Sequence, residues 1–137
     1  MESAISYQNF FMEVKNRIRS AQYEALRAVN KELVTLYWDL GKMISEKQKV
    51  QGWGKSVIAN LAVDRQKEFP GVQGFSESNL WYMAQFYSEY QEITILESLI
   101  REIAWTHNLI ILKKCKNLSE RVFYIKATKS GWWWNIP

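Results

Sequence analysis

The stretch FMEVKNRIRSAQYEALRAVNKELVTLYWDLGKMI, residues 11–44, decides the fold class. It lies in a proline-free segment running from about Tyr7 to Lys47, and its only glycine is Gly41. Apolar residues recur at three- and four-residue steps at Phe11, Val14, Ile18, Ala21, Ala25, Val29, Leu33, Leu36, Leu40 and Ile44. That spacing marks one face of an α-helix. The pattern outlasts an ordinary globular helix and predicts one of two things. The helix breaks once, with Gly41 as the weak point, because an interior glycine costs about 1 kcal/mol relative to alanine. Alternatively it extends beyond the body of the domain, where a second copy pairs along the stripe as a homodimer and leaves Lys15, Arg17, Arg19, Arg27 and Lys31 outside.

Downstream, short helices are predicted. Residues 51–54 form a turn, and a second helix over residues 55–69 buries Val57, Ile58, Leu61, Ala62 and Phe69 before Pro70 and Gly71 stop it. Ser76 is a good N-cap for a third helix ending near Tyr90, with Leu80, Met83 and Tyr87 on one face and Tyr82, Gln85, Phe86 and Glu89 as alternatives. A fourth helix spans about 93–103. Thr106 is expected to cap a fifth, over 107–115, and Ser119 a sixth ending near 130. No segment alternates with period two, so the chain reads as a single all-α domain, with a long N-terminal helix and a helix-turn-helix-like core.

Composition agrees. The 137 residues suffice for one compact domain, and 47% apolar with 23% charged is ordinary for a globular protein. A lone cysteine, Cys115, excludes an internal disulfide. No apolar run approaches the roughly 18–20 residues that span a bilayer, and no secretory leader is evident, so a cytoplasmic protein without membrane contact is expected. The net charge of +4 is unevenly laid out: no Lys or Arg occurs between Glu68 and Ile100, while basic residues crowd both flanks.

A series of blocks then carries a family resemblance. They include Leu36-Tyr37-Trp38-Asp39-Leu40-Gly41-Lys42, Gly52-Trp53-Gly54-Lys55, Glu68-Phe69-Pro70-Gly71, Gly74-Phe75-Ser76 and Asn79-Leu80-Trp81-Tyr82-Met83. Arg101-Glu102-Ile103, Trp105-Thr106-His107-Asn108 and Glu120-Arg121 follow in order. Together they closely resemble the N-terminal part of the YhcG-type family. That resemblance implies a helical domain, thought to bind DNA, preceding a PDDEXK-type nuclease domain. The nuclease part is expected to be absent here, as in a truncated gene, a split protein with a separate nuclease subunit, or an isolated domain.

The residues themselves offer no catalytic set. A PDDEXK site needs Asp and a Glu-x-Lys on neighbouring strands around Mg²⁺. Here the only Glu-x-Lys, Glu13-Val14-Lys15, lies in the first helical stripe with Val14 inward, and both aspartates, Asp39 and Asp64, lie in helical stretches. His107 lacks an evident nucleophile or metal partner, and Cys115 among Lys113, Lys114 and Lys116 has at most a lowered pKa. No cofactor is implied. Trp38, Trp53, Trp81 and Trp105 read as core, whereas the run Trp132–Trp134 is too wide for one helix face to bury.

The sharper signal is DNA recognition. If the second and third helices form a helix-turn-helix, then Glu77, Ser78, Asn79, Tyr82 and Gln85 face the groove, and Ser76 at the helix start is a further candidate DNA contact. Asn79 and Gln85 would read adenine edges while Ser78 and Tyr82 touch phosphate. Glu77 and Glu89 oppose this, so cations must come from Lys55, Arg65 and Lys67 before it and from Lys113, Lys114, Lys116, Lys126 and Lys129 after it. The expected partner is duplex or branched DNA. The competing reading is a helical interaction domain that never touches nucleic acid.

Overall fold

The computed structural model describes residues 2–52 and 54–131. The order is α1 (Glu2–Gln51), α2 (Lys55–Glu68), α3 (Glu77–Tyr90), α4 (Thr94–Arg101), α5 (Trp105–Lys114) and α6 (Leu118–Lys129), with no strand among the described residues. The all-α expectation holds. Trp53 and the Trp132–Trp134 run lie outside the described residues.

The 50 residues of α1 form one uninterrupted helix, about 75 Å long at 1.5 Å per residue. Of the two alternatives for this stretch, the break at Gly41 does not occur, and the helix extends beyond the body instead. Gly41 is instead where α1 and α3 cross: a Cβ placed there would stand 2.0 Å from the carbonyl oxygen of Met83. Absence of a side chain lets the two backbones touch, and Ser45 Oγ and Ser88 Oγ hydrogen-bond 3.1 Å apart one turn further on.

Only the C-terminal part of α1 belongs to the body. Val34, Tyr37, Trp38, Ile44 and Ser45 are buried, whereas nearly every residue before Val34 is exposed, including Tyr7 (65%), Ile18 (52%) and Val29 (54%). Val14, expected to face inward, is exposed too. These residues form an arm that the remaining helices are too short to cover.

The core has two parts. Val34 and Trp38 of α1, Phe86 and Tyr90 of α3, Leu96 and Ile100 of α4, Ile111 and Leu112 of α5 and Ile125 of α6 make the larger one. Tyr37, Ile44, Ile58, Leu80, Met83 and Ala84 join α1, α2 and α3 in the smaller. The face of α3 read as Leu80, Met83 and Tyr87 widens to include Ala84, Phe86 and Tyr90, because α3 is covered on two sides. By contrast α2 buries only Ile58; Leu61 and Phe69 are exposed because α2 meets the body along a narrow edge.

Cap assignments are partly corrected. Ser76 caps α3 by accepting from the Asn79 amide (3.2 Å). Asn117 rather than Ser119 caps α6, accepting from the Glu120 amide (2.9 Å). Helix α5 starts at Trp105 without a side-chain cap, so Thr106 lies inside it. Buried Asn108 then donates to the Ile100 carbonyl (2.9 Å), closing the C-terminal end of α4.

Candidate nucleic-acid interface

A helix places residues three and four apart on one face, so Ser78, Tyr82, Gln85 and Glu89 form a single outer stripe on α3. Beside it, Lys113 from the last turn of α5 reaches back so that its Nζ lies 4.5 Å from the Tyr82 ring centroid. An ammonium at that distance is attracted by the ring's quadrupole while remaining in solvent. Lys114 and Lys116 are exposed at the same end of α5. Lower on the stripe, Glu89 pairs with Arg121, whose buried guanidinium also donates to the carbonyls of Cys115 (2.8 Å) and Leu112 (3.3 Å). Arg121 thereby neutralises one of the two acids that oppose phosphate on α3.

Other candidate residues are already engaged in the fold. The amide of Asn79 is used at both ends: Nδ2 donates to the Gly74 carbonyl (2.7 Å) and Oδ1 accepts from Trp105 Nε1 (3.3 Å). Arg65 donates to the carbonyls of Phe69 (3.1 Å) and Val72 (2.7 Å), with its guanidinium 5.2 Å from the Phe75 centroid. It staples the loop between α2 and α3. The Ser76 hydroxyl is the α3 cap, and Gln85 leans toward Glu89 at 3.4 Å. Lys55 and Lys67 are exposed at opposite ends of α2. Lys126 and Lys129 are exposed in the last turn of α6, about 12–17 Å along the axis from its start beside Lys116.

A family model described as the DUF1016 N-terminal domain matches residues 13–135. The chain belongs to that family. No curated protein and no solved structure matches it. The resemblance carried by the tryptophan- and glycine-bearing blocks is therefore borne out, and several of those blocks have structural roles in this DUF1016 N-terminal domain. Gly41 is the helix crossing, and Asn79 and Trp105 meet in one hydrogen bond. Gly74 adopts φ +96, which favours glycine, with the Tyr37 hydroxyl 3.0 Å from where a Cβ would stand.

Basic side chains of this DUF1016 domain collect at helix C-termini: Arg65 and Lys67 in α2, Arg101 in α4, Lys113 and Lys114 in α5, Lys126 and Lys129 in α6. Each complements the negative end of its helix dipole. Part of the uneven charge pattern thus has an intramolecular cause.

Sequence reasoning missed Arg121, whose signal was its place in the Glu120-Arg121 block. It also missed Arg101, which donates to Thr35 Oγ1 (3.1 Å) and to the Glu97 carbonyl (2.7 Å).

The loop joining α2 and α3 covers eight residues, 69–76, longer than the three or four of a helix-turn-helix; residues 115–117, between α5 and α6, make a connection of that shorter length. Among the described residues no group of three or more His, Cys, Asp or Glu is placed to hold a metal ion. No helix of the described residues is long and apolar enough to cross a membrane. Burial pushes the His107 imidazole below its usual range, and it pushes the Cys115 thiol up, opposite to the expected lowering by neighbouring lysines.

Proposed function

We propose that this DUF1016 N-terminal domain is a DNA-docking module that contributes no catalytic groups and delivers a nuclease activity carried elsewhere. The observation that supports this most is the Lys113 ammonium held over Tyr82 on the outer stripe of α3, continued by exposed Lys114 and Lys116. A cation over a half-exposed aromatic ring, with two more exposed at the same helix end, suits a phosphate backbone with a base or sugar against the ring. Ser78 and Gln85 lie on the same stripe and complete the footprint. Asn79 and Arg65 act from behind, holding the start of α3 and its loop. Because phosphate contacts dominate, recognition is of DNA shape or charge rather than sequence.

The test is fluorescence anisotropy with a short duplex and a four-way junction across ionic strength. Replacing Lys113, Lys114 and Lys116 by Gln should reduce the log–log salt slope by about 3, near 0.9 for each phosphate no longer neutralised. The Lys126→Gln/Lys129→Gln variant should leave that slope nearly unchanged. Undetectable binding of the unaltered chain at low salt would sink the reading. Equal slopes for the unaltered chain and the triple variant would remove the α5–α6 corner from it.

A further inference from the structure

We infer that the exposed arm of α1 is a homodimerisation helix that pairs antiparallel with the arm of a second copy. The inference is independent of DNA binding. Tyr7, Phe11, Val14, Ile18, Ala21, Ala25 and Ala28 follow one another at alternating four- and three-residue steps, the seam of a coiled coil. Tyr7, Phe11, Val14 and Ile18 are all exposed. The seam points away from the body. Arg27, on the opposite side of the helix, is tied to Glu102 (2.7 Å), and the buried face around Val34, Trp38 and Ser45 follows that same side. Towards its C-terminal end the seam drifts through Val29 and Leu33 to Leu36, Leu40 and Met43, which line an apolar groove of about 510 Å³ with Leu61 and Phe69.

Size and charge select the occupant. The exposed fractions of Tyr7, Phe10, Phe11, Val14, Ile18 and Val29, on and beside the seam, leave roughly 500 Å² of apolar side chain per arm, so a pair buries about 1,000 Å², the size at which specific interfaces begin. The seam is large at its start and small at its end. An antiparallel pair centred between Arg19 and Ser20 sets Phe11 against Ala28, Val14 against Ala25 and Ile18 against Ala21, so large side chains fill the spaces over small ones.

In that register Arg17 lies across from Glu24 of the second copy, twice by symmetry, and Glu32 meets the hydroxyl end of Tyr7. A parallel pair would stack Glu32 on Glu32, leave a gap at the three alanines and oppose no unlike charges. Sliding the antiparallel pair by one heptad towards the N-terminus brings Arg17 against Arg17. One arrangement therefore satisfies volume and charge together.

The experiment is sedimentation equilibrium of the whole chain, combined with cysteine cross-linking on a Cys115→Ser background. The unaltered chain should sediment at twice its 16.2 kDa. Ile18→Glu, at an exposed position, should weaken association by about 100-fold while the circular dichroism of the body is retained. Arg17→Glu alone should weaken it about tenfold and Arg17→Glu/Glu24→Arg should restore it. Mixed Phe11→Cys and Ala28→Cys chains should form the disulfide heterodimer, with no disulfide between two Phe11→Cys chains. A monomer at every concentration, association indifferent to Ile18→Glu, or cross-linking between two Phe11→Cys chains would each overturn the inference.

Discussion

Replacing Gly41 by alanine sets two effects of opposite sign against each other. Alanine is the better helix former, so an exposed site in mid-helix would gain about 1 kcal/mol. At Gly41 the added methyl would stand 2.0 Å from the Met83 carbonyl oxygen and 2.6 Å from its carbon. Both are backbone atoms of α3, which no rotamer change can move aside, so α1 and α3 must separate across their whole contact. Overpacking of this kind costs about 1–3 kcal/mol, and an immovable neighbour places this case at the upper end. Separation also strains the Ser45–Ser88 hydrogen bond and loosens Trp38 against Phe86, whose centroids are 5.7 Å apart.

The net expectation for Gly41→Ala is a loss of about 2 kcal/mol. For a domain of this size that lowers the melting temperature by roughly 6–10 °C. Thermal unfolding followed by circular dichroism and tryptophan fluorescence measures it. A rise of several degrees, as propensity alone would give, would refute the close crossing and the packing of the body built on it.

Other consequences follow from single buried groups. Asn108→Leu keeps the branched shape of the side chain but removes the donor to the Ile100 carbonyl and adds bulk at a buried site, so the urea midpoint should fall by the equivalent of about 1–3 kcal/mol. Burial pushes Tyr90 up to about 12, against about 10 in the unfolded chain. Between those values only the unfolded chain has lost the proton, so stability is flat below pH 10 and falls above it by up to roughly 2–3 kcal/mol. Tyr90→Phe should flatten that fall in pH-dependent denaturation curves. Cys115 is buried with its thiol pKa raised, so a chromogenic disulfide reagent should label the native chain at least about tenfold more slowly than the urea-unfolded chain. Comparable rates would place Cys115 at the surface.

Period and capping residues made most of the fold legible in the sequence. The 3.6-residue period gave α1, and Ser76 and Pro70 marked the limits of the segment leading into α3. Gly41 was misread because local propensity prices a glycine without knowing what approaches it. Only the position of α3 turns a weak point into a contact. The same reason explains Val14: periodicity reports that a face is apolar, not that anything covers it. At the site, charge and hydrogen-bonding types were visible but their engagements were not. Asn79 carries the chemistry of an adenine reader, yet its amide is bound to Gly74 and Trp105, the latter 26 residues away in sequence. The Lys113–Tyr82 contact, between residues on different helices, left no local signature at all.

The two proposals constrain one another through geometry. If opposing arms cross between Arg19 and Ser20, the points where each α1 enters its own body, near Val34, lie 29 residues apart along the paired axis, roughly 45 Å at 1.5 Å per residue. The two bodies, each carrying its α5–α6 corner, then lie at opposite ends of a rod whose entry points alone are further apart than the roughly 34–36 Å of one DNA turn. A straight duplex offers its successive equivalent faces at multiples of that turn, so a rigid rod engages it at both ends only where its spacing falls on such a multiple. Two duplex arms meeting at a branch carry no such periodic restriction, because their angle adjusts to the protein. Cationic corners on a fixed rod therefore favour branched or paired duplexes over a single straight one, and the preference arises from spacing, with no base contact needed.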